Sequence, residues 1–337
     1  MSLGAVQAGV NVRLAVEADK HAAATYAHNH PHTEVVVDDI RKLRKINIRT
    51  NGSGKILFGG PPCQGFSTSN QRTRNKSNPD NWLFKEYMRI VRLWKPDWVV
   101  FENVKGMADT EDGIFLKSVI KKLQDANYAV SWWILDASEF GVPQKRQRLF
   151  VIGSLSGLSI PKPQPTAAKP LTVSEAISDL PDLENGAAAS WLNYKCTASS
   201  DYANLMRGKR KQSPNHLVSN SAPHILKRYK YVPQGGNWEN IPARLMKNYA
   251  DRSRCHTGIY HRLCENQPSV VIGNYRKNML IHPTQDRGLS VREAARLQSF
   301  PDRYEFKGSL GFQQQQVGNA VPPLLAEKVF KSIRSYG

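Results

Sequence analysis

The sequence predicts an α/β protein with a doubly wound, mostly parallel sheet and a smaller, irregular second domain. Three observations predict it. Short apolar, β-type runs alternate with helical segments up to Gly153, the pattern of crossover-connected strands. Four chemically notable residues, Glu17, Asp39, Cys63 and Glu102, fall just past the ends of such runs, at the edge where open α/β sheets bind ligands. Beyond Gly153 the texture changes to Pro-, Asn-, Gly- and Lys/Arg-rich chain.

The first run, 10–16, reads as a strand ending at Glu17. Asp19 caps an expected helix to His28, with Pro31 beyond its end. Residues 34–37 and 55–58 read as the next strands, the latter entering Gly59-Gly60-Pro61-Pro62. A helical spacing over 82–94 precedes a buried-type strand over 98–101, which runs into Glu102-Asn103. A helix over 114–127 and strands over 129–135 and 148–152 complete the alternation. Pro161, Pro163 and Pro165 mark a linker or surface loop, and 171–180 contains one short helix. Ser290 and Glu293 form a capping-box pattern opening a helix to Leu297, and 324–333 is a terminal helix. These features divide the chain at 1–185, 186–284 and 285–337, with the last segment returning to the first.

Charge narrows the partner. Lys and Arg number 47 against 28 Asp and Glu, a formal +19. Such a field favours a polyanion, because neutralising phosphates releases condensed counterions. Between Gly186 and Gln285, 15 Lys and Arg stand against 4 Asp and Glu, so +11 of the +19 falls in less than a third of the chain. No apolar run reaches the roughly 18–20 residues that span a bilayer. Four scattered cysteines do not make a disulfide scaffold, and the start lacks a secretory pattern, so a cytoplasmic location is expected. Cys255, His256, His261 and Cys264 match no zinc-finger spacing, so no metal is expected.

Cys63 sits in a turn held by two glycines and two prolines, Gly59–Ser67. A thiolate there would be a nucleophile, whereas an isolated cysteine in a tight turn is more often a small buried residue. Glu102 could protonate a ring nitrogen if burial raised its pKa, or could be a solvated loop acid or helix cap. Alternation puts Gln144, Arg146 and Arg148 on one side of an extended segment, suited to phosphate or a carbonyl edge, or merely to solvent.

Taken together, the motifs resemble those of bacterial-type DNA (cytosine-5) methyltransferases. Gly59–Ser67 resembles the nucleophile loop of that family, Glu102-Asn103-Val104 its ENV motif, and Gln144-x-Arg146-x-Arg148 its QxRxR motif. Arg292–Pro301 is similar to the element after the target-recognition region, and Gln316–Pro323 to the closing GNxVPP element. The five occur in the family's order over essentially the whole chain.

The resemblance implies the S-adenosylmethionine-dependent methyltransferase fold and a mechanism. Cys63 would attack C6 of a flipped-out cytosine in duplex DNA, and Glu102 would protonate N3. Arg146 and Arg148 would hold the base and neighbouring backbone, with Arg148 on the cytosine carbonyl. Glu17, Asp39, Pro61 and Asn319 would line the S-adenosylmethionine site: Glu17 on the ribose hydroxyls, Asp39 on the adenine amino group, Asn319 near the methionine moiety. Gln64, Ser67 and Gln144, with the basic residues Arg207, Lys209, Arg210, Lys211, Lys227, Arg228 and Lys230, would face DNA. The family opens with a strand and a DLFxGxGG-like loop, whereas Ser2–Gly9 matches only the helix after that loop. Three explanations stay open: the sequence starts late, a separate chain supplies that part as a partner, or the protein is a degraded relative that binds DNA without methylating it. A DNA-binding or assembly subunit inactive alone, and an RNA methyltransferase, are the alternatives.

Overall fold

The computed structural model describes residues 1–50, 52–61, 83–247, 258–273, 275 and 279–336. After helix α1 (Ser2–Gln7), strands β1 (Leu14–Glu17) and β2 (Glu34–Val37) pair in parallel, joined by helix α2 (Lys20–Asn29). Asp19 caps α2 as its position predicts, accepting from the His21 and Ala22 amides. Strand β1 begins later than the apolar run that announces it, because Leu14 is the first residue to meet β2, opposite Glu34.

A four-stranded sheet has the order β3 (Ile56–Gly59), β4 (Trp98–Val104), β6 (Gln147–Ser154), β5 (Ala129–Asp136). Helix α3 (Phe84–Trp94) connects β3 to β4, and α4 (Gly106–Asp109) with α5 (Ile114–Gln124) connects β4 to β5. Strands β3 and β4 are parallel, and β6 is antiparallel to both its neighbours. The expectation of a mostly parallel sheet thus holds for β3, β4 and β5, while β6 runs backwards between β4 and β5. The reason is local: β5 returns into β6 through a short 3-10 turn, Ala137–Phe140, with no crossover helix.

Side chains alternate across β4 and β6 and bury both faces. Trp98, Val100, Phe150 and Ile152 pack with Ala5 of α1 and with Leu325, Val329 and Phe330 of the last helix, α11 (Pro323–Arg334). Val99, Phe101, Leu149 and Val151 pack on the other face with Tyr87 and Met88 of α3 and Phe115 and Val119 of α5. This is the two-sided winding that the alternation predicts. Helix α1 meets α11 so closely that a Cβ on Gly4 would lie 2.4 Å from the Pro323 carbonyl.

After β6 come helix α6 (Val173–Ile177), strand β7 (Ala188–Asn193), helix α7 (Asp201–Arg207), strand β8 (Gln212–Leu217) and helix α8 (Pro223–Tyr229). Strands β7 and β8 form an antiparallel pair. Helices α9 (Val291–Leu297) and α10 (Leu310–Asn319) precede α11. The capping box at Ser290 and Glu293 is formed, and Gln313–Gln316, an unassigned polar run in the sequence, lies inside α10. One apolar cluster joins Val173 and Ala176 of α6, Tyr202 and Met206 of α7, Val291 and Ala294 of α9, and Val317 of α10. A second, smaller core holds Tyr229, Val232, Ile241, Tyr260 and Ile281. Segment 186–217, which the sequence groups with the second domain, therefore packs with the body that carries α9 and α10. No helix among the described residues is long and apolar enough to cross a membrane.

Candidate active site

The β4–β6 register builds the centre of the site. Glu102 lies opposite Phe150 and Val104 opposite Arg148, so Glu102 and Arg148 are diagonal neighbours on one face. Arg148 Nε stands 3.0 Å from Glu102 Oε1, with both residues under 10% exposed. Burial pushes the Glu102 carboxyl above its ordinary value, against the pull of Arg148 and Arg146. Glu102 is thus neither a helix cap nor a solvated acid; it is an interior carboxyl that keeps its proton to a higher pH than an exposed one. The parallel register brings Gly59 opposite Phe101, so Gly60 comes alongside Glu102. A Cβ at Gly60 would lie 2.5 Å from Glu102 Oε2, so the absent side chain leaves the carboxyl its place. Asn103 Nδ2 donates to the Pro61 carbonyl at 3.3 Å. Pro61 is the last described residue at the start of the Gly59–Ser67 loop, and this bond ties the root of the loop to the strand that carries Glu102. Cys63, Gln64 and Ser67 lie outside the described residues.

The predicted alternation of the QxRxR segment is correct, but it points inward. Gln144, Arg146 and Arg148 are buried, while Lys145 and Gln147 are exposed. Arg146 is not placed to hold a base or backbone. Its Nη1 donates to Ile272 O at 3.1 Å, and its Nη2 to Gly318 O at 2.7 Å and Ala320 O at 3.0 Å. Those last two carbonyls flank Asn319, so Arg146 locks the backbone of the closing element. Its Nε is buried with no hydrogen-bond partner among the described residues. Gln144 is likewise no DNA contact: it is fully buried, donating to Leu297 O and accepting from the Ile272 amide. Both corrections have one cause. Chain returning from the second domain arrives here with unpaired carbonyls and amides, and these buried groups require partners.

A second set of residues lies at the ends of β1 and β2. Glu17 closes β1; its Oε1 accepts from the Asp19 amide at 3.0 Å, and Oε2 has no partner among the described residues. Asp39 follows β2 and accepts from the Arg41 amide and guanidinium, which hold its carboxyl down to about 2. Asn319 ends α10 with an exposed side chain. Carboxylates offer only acceptors, which suits ribose hydroxyls and an amino group. These residues therefore fit the cofactor that the sequence implies, although Asp39 would have to share its lone pairs with Arg41.

Comparison with known proteins decides the family. The model for C-5 cytosine-specific DNA methylase matches residues 1–335. The chain belongs to the C-5 cytosine-specific DNA methylase family. It is 35% identical to the type II methyltransferase M1.HphI of Haemophilus parahaemolyticus, over 98% of this chain and 83% of that protein. It is 32% identical to the type II methyltransferase M.DdeI of Desulfomicrobium norvegicum, over 99% of this chain and 86% of that protein. Among solved structures, a DNA modification methyltransferase encoded within an E. coli prophage superposes with a TM-score of 0.78 and 25% identity, covering 99% of this chain and 95% of that one.

The basic residues of this methylase divide into two groups. Arg207 is structural rather than DNA-facing: it donates to Asp179 and to the Cys196 carbonyl, and its guanidinium lies 3.7 Å from the centre of the Tyr194 ring. Arg228 is also interior, 4% exposed, donating to Leu245 O and the Tyr260 hydroxyl. Helical phase explains it: Arg228 faces the small core while its neighbours Lys227 and Lys230 stay exposed. Lys209, Arg210 and Lys211 are exposed.

Sequence reasoning missed two positioning residues of the methylase. Gly60 makes room for the carboxyl, and Asn103 pins the loop root. The signal for both was present: a glycine beside a strand end that carries a candidate acid, and an amide directly after that acid. It also missed the hub around α9, where Arg296 pairs with Asp179 and Asp302, and Arg287 with Glu293, all buried. Two arginines four positions apart, Arg292 and Arg296, with Glu293 in the same short helix, were its trace in the sequence.

Proposed function

We propose that this chain is a DNA (cytosine-5) methyltransferase that modifies a cytosine flipped out of a specific duplex sequence. The reading rests chiefly on the buried Glu102–Arg148 pair at the strand end, with the nucleophile loop rooted beside it. The Cys63 thiolate attacks C6, breaking the ring's aromaticity. Glu102, whose burial favours the protonated form, donates to N3 and so neutralises the charge that the attack creates. Arg148, held against Glu102, is aimed at the cytosine carbonyl. Glu17, Asp39, Pro61 and Asn319 would hold S-adenosylmethionine, which would supply an electrophilic methyl group. C5 takes that methyl group; loss of the C5 proton, with return of the N3 proton to Glu102, then lets the Cys63–C6 bond break and restores the ring. None of these atoms is accessible inside a duplex, so extrusion of the base, at a cost of a few kcal/mol, is part of the reaction. Exposed Lys227 and Lys230 beside the small core supply phosphate contacts, and Gln64 and Ser67 contact DNA from the nucleophile loop. The activity fits a modification role like that of the type II methyltransferases it resembles.

Tritiated methyl transfer onto mixed-sequence duplex DNA, followed by bisulfite sequencing, tests this. One recurring methylated cytosine context is expected. Cys63→Ala abolishes transfer while leaving duplex binding intact; turnover near wild type would remove Cys63 from the mechanism.

One observation favours a second reading. The β1–β2 pair and the four-stranded sheet are separate, and one edge each of β1 and β3 has no strand partner among the described residues. A strand from another segment or chain would satisfy those backbone groups and complete the cofactor site. In that case the chain alone binds DNA but not cofactor. Calorimetric titration with S-adenosylmethionine separates the two, because only the first reading gives binding by this chain unaided.

A further inference from the structure

The hairpin of β7 and β8 carries a surface that the catalytic account does not use. Trp191 on β7 is 39% exposed. Together with Asn193, Arg210, Lys211 and Gln212 it lines an open cavity of about 480 Å³. The Arg210 guanidinium lies 5.8 Å from the centre of the Trp191 ring, a cation–π contact that holds the charge over the aromatic face. Gln212 Nε2 donates to Asn193 Oδ1 at 3.0 Å, which leaves the Asn193 amide hydrogens directed elsewhere. Lys209, Arg210 and Lys211 form no ion pair with any described carboxylate, whereas Arg207 of the same run is consumed by Asp179. Three unpaired cations in succession, beside an exposed indole, are out of keeping with a merely solvated turn.

The hairpin is also rigidly mounted. Arg292 donates to Pro214 O at 2.9 Å, Tyr194 to Asp302 at 2.6 Å, and Tyr202 to Arg296 O at 2.5 Å. The patch is thus mounted on the body of α9 and not on the small core around Tyr260.

We propose that Trp191, Lys209, Arg210 and Lys211 form an accessory anchor for duplex DNA flanking the target site. The cations take successive phosphates, and the indole packs on the apolar sugar face between them. Such an anchor raises affinity and residence without reading bases. The proposal rests on DNA being the substrate.

The test uses the full chain and fluorescence anisotropy across a salt series. Two duplexes of equal length are compared, one of unrelated sequence and one containing the methylated context. The triple variant Lys209→Gln, Arg210→Gln, Lys211→Gln is expected to bind both at least about tenfold more weakly at 0.1 M salt. Its log Kd against log salt slope should fall by about 2–3, at roughly 0.9 per phosphate lost. Trp191→Ala should weaken both duplexes and Trp191→Phe should restore most of the loss. Bisulfite sequencing should show an unchanged target context. Wild-type affinity and slope in the triple variant would overturn the anchor, as would a loss confined to the cognate duplex. Preferential competition by structured RNA over DNA, abolished in the variant, would also overturn it in favour of an RNA surface. Methyl transfer by the wild type is measured separately, so failure of the anchor and failure of the enzymatic reading are distinguishable.

Discussion

Two buried acid–arginine sites in this methylase share the same chemistry and titrate in opposite directions. At the strand end, Glu102 meets Arg148 at 3.0 Å, and burial prevails, raising its pKa. In the hub under α9, burial is again the largest single influence on Glu293 and pushes its pKa up. There Arg287, His282 and the Ser290 amide together overturn it and bring the carboxyl down to about 2. Asp302 is likewise depressed, with two bonds from Arg296 and one from Tyr194 outweighing burial. The difference lies in the number of donors. A carboxylate with its lone pairs filled is a structural rivet; one left partly unfilled is ready to take and give a proton.

That contrast can be broken by substitution. Glu102→Gln should lower the methyl-transfer rate by about 10²–10⁴-fold with the melting temperature nearly unchanged, measured by single-turnover assay beside calorimetry. A rate close to wild type would place proton transfer elsewhere. Asp302→Asn should do the reverse. It leaves Arg296 half-paired in a fully buried site, costing about 3–5 kcal/mol in denaturant unfolding. Specific activity of the remaining folded protein should be preserved.

The pH dependence sharpens the comparison. Glu293, depressed to about 2, contributes stability that is complete above its ordinary value near 4.5 and is lost as pH falls towards 2. Glu102 has the opposite sign. Its contribution is complete below 4.5 and is lost as pH rises through its elevated folded value. Wild type minus Glu102→Gln, followed by chemical denaturation from pH 4 to 8, should therefore show a stability difference that declines with rising pH. A flat or rising difference would mean that Glu102 is not held protonated by burial. The smallest effect is expected at Gly60. Gly60→Ala would press on the Glu102 carboxyl and should cost about tenfold in rate, with little change in cofactor affinity, read as a change in kcat at constant KM.

Much of this was legible in the chain itself. Asp19 and the Ser290/Glu293 pair announced helix starts because caps are local hydrogen bonds between residues two or three apart. That Gln144, Arg146 and Arg148 share one side followed from strand alternation, though not that this side faces inward, and the order of five motifs identified the family. What each inward group touches was not legible. Arg146, Gln144, Arg207 and Arg228 are donors, and a donor's type does not reveal whether its partner is a phosphate or a carbonyl brought from more than a hundred residues away, as Gly318 is for Arg146.

The sequence alone determined which chemical groups exist, at what spacing, and which local elements carry them, because propensity, capping and alternation act over a few residues. The tertiary structure decided which cations are spent inside and which stay exposed, and which carboxylate has its pKa raised and which lowered. Those outcomes depend on desolvation and on counting hydrogen-bond partners, and both are set only when distant segments of the chain close on one another.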